Sequence, residues 1–271
     1  MPTVARPDGV ELHWEERGSG PTVVLGHQCI SYPEVYEDLR DELATDHRVV
    51  NYHLRGCGLS TRTGPYDSAT DTADLQAIVE AAGGSPAVAV GMGDAAFHQV
   101  RIAAARPDLI SHVVVPVGHT IGAAASRGTD ALTASPSVLL AITQQLEADY
   151  RGGLHSLIAV PNPQLTPEQL RERIDRTVEH VPQEAAVRLM RAWQHDDATE
   201  ESRVLGDRLW ILTTPDNPWF TQEIGERLRE LLPEAHVDVV EGGPLSRPDI
   251  AAGIVRRLTA HAGALSSDSQ R

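Results

Sequence analysis

The chain contains no lysine; all 23 of its basic residues are arginine. No side chain can therefore form an ordinary Schiff base, which excludes pyridoxal phosphate chemistry. Cysteine is almost as scarce. Cys29 and Cys57 are the only two, with no metal-type spacing, and a reduced cytoplasm is the expected compartment. No apolar run approaches the roughly 18 residues of a membrane span, and the N-terminus MPTVARPDG lacks the apolar core of a signal peptide. Basic runs are absent too. With 23 basic against 38 acidic residues the formal charge is −15, which disfavours nucleic acid and anionic lipid as partners. There are no internal repeats.

What is present suits one sizeable core: 271 residues, 41% of them hydrophobic. After the turn Pro7-Asp8-Gly9, Val10 to Glu16 alternates like a half-exposed strand, and Thr22 to Leu25 is an apolar strand. Helical spacing over Tyr36 to Leu43 precedes a strand at Arg48 to Tyr52. Asp71 to Ala82 reads as helix, Ala87 to Val90 as strand, and Ala95 to Ala105 as a helix ended by Arg106-Pro107. His112 to Val117 is a further strand. Residues 119–203 hold helices but no strand, with breakers at Pro136, Gly152-Gly153 and Pro161 to Pro163. Strands return at Leu209 to Leu212 and Val237 to Val240. Short β-branched runs alternating with amphipathic helices predict an α/β protein whose parallel sheet is covered on both faces.

Six segments in order give this pattern a resemblance. They are VVLGHQ at 23–28, YHLRGCGLS at 52–60, GMGDA at 91–95, ARPDLI at 105–110, LWILTTPDNPW at 209–219 and VVEGGPLSRPDIAAGIVRRL at 239–258. Together they resemble the α/β-hydrolase fold over nearly the whole chain. The resemblance implies a mostly parallel central sheet with helices on both faces and an all-helical lid inserted after the sixth strand. The expected divisions are 1–118 and 204–262 for the core, 119–203 for the lid and 263–271 for a disordered tail.

GMGDA resembles the G-x-S-x-G turn that presents a nucleophilic serine. The strained turn needs small residues two before and two after the nucleophile. Gly93 at the apex gives Gly91 and Ala95; Asp94 at the apex gives Met92 and Ala96, a poorer fit. The sequence thus predicts glycine at the nucleophile position and Asp94 just after it, where its backbone N–H faces the oxyanion. The loop after the last strand, Glu241 to Pro248, contains no histidine, and Gln28 replaces the usual glycine after His27. Of the triad that the resemblance implies, only the acid position remains, as Asp216. On this reading ordinary serine hydrolysis is rejected.

Strand ends and the elbow converge in such a fold, so His27, Gln28, Cys29, Asp94, His119 and Asp216 should line or border one pocket. Asp94 and His98 stand four apart on one helix face, able to hydrogen-bond as an oriented general base. Gln28 can donate to a developing oxyanion. The candidate catalytic set is Asp94, His98, Gln28, His27, His119 and Asp216. Candidate substrate contacts are Cys29, Tyr32, Gly93, Trp193, Trp219, Phe220 and Leu245. Plain structural roles compete throughout: Asp94 suits a helix N-terminus, His98 a satisfied core histidine, His53 a strand-end bond and Cys29 a buried thiol. The scattered histidines His27, His53 and His119 show no metal-ligand spacing, so neither metal nor cofactor is expected. The expected function is a cofactor-free cyclase, lyase or carbon–carbon bond-forming enzyme acting on a small apolar or aromatic molecule. The alternatives are a pseudo-enzyme that binds such a ligand, and a hydrolase using Asp94 as nucleophile. The partner is a small molecule, and a homodimer is compatible with the sequence.

Overall fold

The computed structural model describes residues 2–122, 129, 135–214, 219, 221–241 and 247–268, the side chains of 136 and 261–268 excepted. Eight strands form one sheet: β1 (Thr3–Ala5), β2 (Glu11–Arg17), β3 (Thr22–Gly26), β4 (Arg48–Tyr52), β5 (Ala87–Met92), β6 (Ile110–Val117), β7 (Leu209–Thr213) and β8 (His236–Val239). Their order is β1-β2-β4-β3-β5-β6-β7-β8. The pairs β1–β2 and β2–β4 are antiparallel and all others parallel.

The central strands read as unbroken apolar runs because both of their faces are covered. Along β5, Ala87 and Ala89 join one core cluster while Val88, Val90 and Met92 join the other. In β6, Val113 and Val115 face the first cluster and Val114 the second. The second face is covered by α1 (Glu37–Leu43) and α10 (Pro248–Asp268). The first carries α2 (Ser68–Ala82), α3 (Ala95–Ala105) and α9 (Gln222–Leu231). Asp67 caps α2 by accepting the Thr70 N–H over 2.9 Å. Helix α10 continues to Asp268, through most of the segment expected as a tail.

Between β6 and β7 the described residues form five α-helices: α4 (Pro136–Ala148), α5 (Tyr150–Ala159), α6 (Pro167–His180), α7 (Gln183–Gln194) and α8 (Thr199–Leu205). Their starts are legible in the sequence. Proline opens α4 and α6, and Thr166 with Gln169 forms a reciprocal capping box on α6. Helix α7 lays Ala185, Ala186, Leu189 and Met190 against the first core cluster, over the end of β5 that feeds α3. Among the described residues no helix is long and apolar enough to cross a membrane.

A buried arginine ties the N-terminal strands to α2. Arg55 donates to both carboxylate oxygens of Asp74 at 2.7 and 3.1 Å and to Asp8 at 2.5 Å, and Arg6 adds a bond to Asp74 at 2.8 Å. The guanidinium fork matches a carboxylate in two parallel bonds, so the pair is held in one geometry as well as neutralised.

Candidate functional site

Between β5 and α3 the chain reverses within two residues. Gly93 takes φ +59°, and a Cβ at Gly91 would come within 2.9 Å of the Ala96 backbone nitrogen. A side chain at Gly93 would be strained by its backbone and one at Gly91 by the close approach of helix to strand. The turn sends Asp94 into the space where the β3 loop passes. There Asp94 Oδ1 accepts the Cys29 backbone N–H over 2.8 Å. Burial raises the Asp94 pKa to about 6, with the Cys29 bond pulling the other way.

Beside Asp94 is a small cavity with room for little more than a water molecule. Its polar walls are Ser68 and Asp71 of α2, Asp94 and His98 of α3, and Asp196; α7 closes it with Leu189, Ala192 and Trp193. The Thr72 hydroxyl donates to the Ser68 carbonyl at 2.7 Å and also meets His98 Nδ1 at 2.9 Å. Its one proton is thereby used, so His98 Nδ1–H is the donor to Thr72 and Nε2 keeps its lone pair. Desolvation lowers the His98 pKa to about 4, and the ring is neutral at physiological pH. Asp196 is held by Arg101, whose Nη1 lies 3.1 Å from Oδ2, and by the Ser68 hydroxyl at 2.8 Å. Asp71 differs: it is 4% exposed, and among the described residues its Oδ1 is without a hydrogen bond.

The structure brings Asp94, His98 and Trp193 of the predicted set to this cavity and places Cys29 at its edge through the N–H bond. The expected hydrogen bond between Asp94 and His98 is corrected. Asp94 bonds Cys29 and His98 bonds Thr72, because the carboxylate turns toward the β3 loop while the imidazole turns toward α2. Gln28 lies over Gly93 rather than in the cavity lining. His27 sits in a separate group with Tyr52 and His180, its Nδ1–H donating to the Gln28 carbonyl at 2.9 Å. His119 is buried with its ring at the edge of Phe97, and burial lowers its pKa to about 4. Tyr32 lies beneath the Arg176 guanidinium, 4.6 Å from the ring centre. Trp219 packs in the main core. Asp216, Phe220 and Leu245 lie outside the described residues.

Sequence reasoning missed Ser68, Asp71 and Asp196. For Asp71 a signal existed: the buried positions of α2 are Asp71, Asp74, Leu75, Ile78 and Val79, so a carboxyl occupies the helix's inward stripe. No group of three His, Cys, Asp or Glu side chains among the described residues is placed to hold a metal ion.

No family model matches the sequence, and no curated protein matches it. Solved structures do. An esterase from Exiguobacterium antarcticum superposes with a TM-score of 0.80 at 14% identity, covering 96% of this chain and 98% of its own. A bromoperoxidase from Bacillus anthracis gives 0.77 at 18% identity, with 93% and 95% covered. An enol-lactonase from Burkholderia xenovorans gives 0.73 at 18%, with 96% and 98% covered. The fold is the α/β-hydrolase fold. The expectation of a cyclase or lyase is corrected by the same findings: such structures are named as esterases, an enol-lactonase and a bromoperoxidase. The rejection of hydrolysis drawn from the sequence is withdrawn with it.

Proposed function

We propose that the protein is a hydrolase of small esters or lactones in which Asp94 supplies the nucleophile. The observation that carries this reading is the bond from Cys29 N–H to Asp94 Oδ1. It fixes Oδ1 and assigns the attack to the other carboxylate oxygen, Oδ2. Gly93 offers no side chain at the apex and the stretch 241–248 offers no histidine, so the reacting group falls to the next residue. The likeness to esterases and an enol-lactonase supports hydrolysis over other chemistries of the fold.

In this mechanism Asp94, ionised above pH about 6, attacks the acyl carbon through Oδ2. The C–O bond to the leaving alcohol breaks, and an acyl anhydride with Asp94 forms. Water then attacks the Asp94 carbonyl carbon, giving its proton to His98 Nε2, the lone pair left by the Thr72 bond. The developing oxyanion is Oδ1, already placed on the Cys29 N–H. Collapse releases the acid and regenerates the carboxylate, with one oxygen from water left in Asp94. Trp193 and the α7 wall bound the acyl group, and a substrate larger than a water requires α7 to give way.

The test is repeated turnover of phenyl acetate in heavy-oxygen water, followed by mass spectrometry of the peptide carrying Asp94. Label should enter that peptide, and Asp94→Asn should lose turnover by ~10³-fold or more while staying folded. Turnover with no label in Asp94 overturns the nucleophile.

A further inference from the structure

We infer that Asp71 is the general acid of this site and protonates the departing alcohol oxygen; the inference rests on the hydrolase reading above. The need for such a group follows from the nucleophile. When a carboxylate adds to an ester carbonyl, the tetrahedral adduct can expel either the carboxylate or an alkoxide. The alkoxide is by far the more basic, so the adduct reverts unless its oxygen receives a proton as the C–O bond breaks. Asp94 alone would serve only activated aryl esters. An alkyl ester or a lactone ring oxygen requires an acid facing the same space.

Asp71 is placed for that task. It projects from the inward stripe of α2 into the cavity that Asp94 and His98 line from α3. It is 4% exposed, and its Oδ1 has no hydrogen-bond partner among the described residues. A buried carboxylate left without a donor is costly, whereas a buried carboxylic acid carries no charge and can donate. Desolvation raises its pKa well above the usual carboxylate range, and the charges of Asp94, Asp74 and Asp67 push the same way. Arg55 opposes them, but its guanidinium is engaged by Asp74 and Asp8. Across the cavity Asp196 is an anion neutralised by Arg101, and His98 is neutral. Both carboxyls of the site are pushed up, but unequally: Asp94 only to about 6, so that it is ionised near neutrality, and Asp71 well above the usual carboxylate range, which divides nucleophile from acid.

The balance closes. The Asp71 proton goes to the alkoxide oxygen as its C–O bond breaks. The proton that His98 takes from the attacking water returns to Asp71 through the released alcohol or solvent. The substrate class narrows accordingly to esters with poor leaving groups and to lactones.

The experiment compares ethyl acetate with p-nitrophenyl acetate. Asp71→Asn should lower kcat/KM for the ethyl ester by ~10²-fold or more and for the aryl ester by less than about threefold. Wild-type kcat/KM for the ethyl ester should fall on an alkaline limb that is missing with the aryl ester, a reading that needs no variant. An infrared carbonyl band of a protonated carboxylic acid should be present in the wild type and lost in Asp71→Asn. Equal losses for both esters, or no alkaline limb with the ethyl ester, overturn the acid. Failure of the hydrolase reading shows differently, as unchanged turnover of both esters in Asp94→Asn.

Discussion

A Cβ placed on Gly93 would lie 2.9 Å from the Cβ of Gln28 and 3.4 Å from its Oε1. The Gln28 side chain thus occupies the ground that any side chain at position 93 would need. Gly93→Ser should therefore cost stability twice, by strain at φ +59° of about 1–3 kcal/mol and by the clash. Adding Gln28→Gly should relieve the second part, so the double variant should melt higher than Gly93→Ser alone. Additive melting shifts would show that the two positions do not compete for space.

Removing the imidazole should separate the two chemical steps. In His98→Gln the attack by Asp94 is retained, but the water loses its proton acceptor. Stopped-flow release of p-nitrophenol should show a burst of about one equivalent, followed by a steady rate lowered by ~10²–10³-fold. A linear trace with an unchanged rate would take His98 out of the second step.

Acid should destabilise the protein well before its surface carboxylates titrate. Desolvation lowers the pKa of His27, His98 and His119 to about 4 and that of His180 to about 3, and His53 and His112 are lowered too. The unfolded chain binds these protons at about pH 6.5, so their contribution is complete above that pH and is lost as pH falls toward 4. Each unit of difference is worth about 1.4 kcal/mol for a fully buried group. Asp94 and Asp71 act in the opposite sense, since their raised pKa values relieve a penalty on acidification. Six histidines against two carboxyls set the direction. Melting temperature should drop steadily between pH 6.5 and 4.5, and a flat or rising curve would contradict the assignment.

The Arg55 pair offers a test of the scaffold away from the cavity. Arg55→Met leaves the Asp74 carboxylate, 4% exposed, with Arg6 alone for compensation among the described residues. Loss of one member of a buried pair costs about 3–5 kcal/mol. A chain of this size should then melt about 10 °C lower. A shift within about 2 °C would mean that Arg6 takes over the bond.

The sheet was legible in the sequence because burial on both faces demands short, mainly apolar runs, which mark the strands read at Ala87 to Val90 and His112 to Val117; the structure extends them to Met92 and back to Ile110. The capping chemistry of Asp67 and Thr166 likewise marks helix starts locally. The site was legible only along the elbow helix, where Asp94 and His98 are four apart. What sequence spacing cannot say is which way each side chain turns: Asp94 goes to the Cys29 N–H and His98 to Thr72 because loops distant in sequence supply better partners than each offers the other. Asp196 joins from 102 positions beyond Asp94, brought in by Arg101, and no local pattern announces such a contact.

The three carboxyl groups that wall the cavity bear on the fate of the acid once it is made. Ester and lactone substrates enter uncharged, but the released acid ionises within a space already holding the Asp94 anion. Like charges in a water-poor pocket repel strongly, so the acid is expelled as it loses its proton. The alcohol half carries no such charge and leaves by diffusion alone. Inhibition by accumulated product should then be asymmetric, negligible with acetate and measurable with the alcohol, and the enzyme should run reactions to completion in concentrated carboxylate buffers.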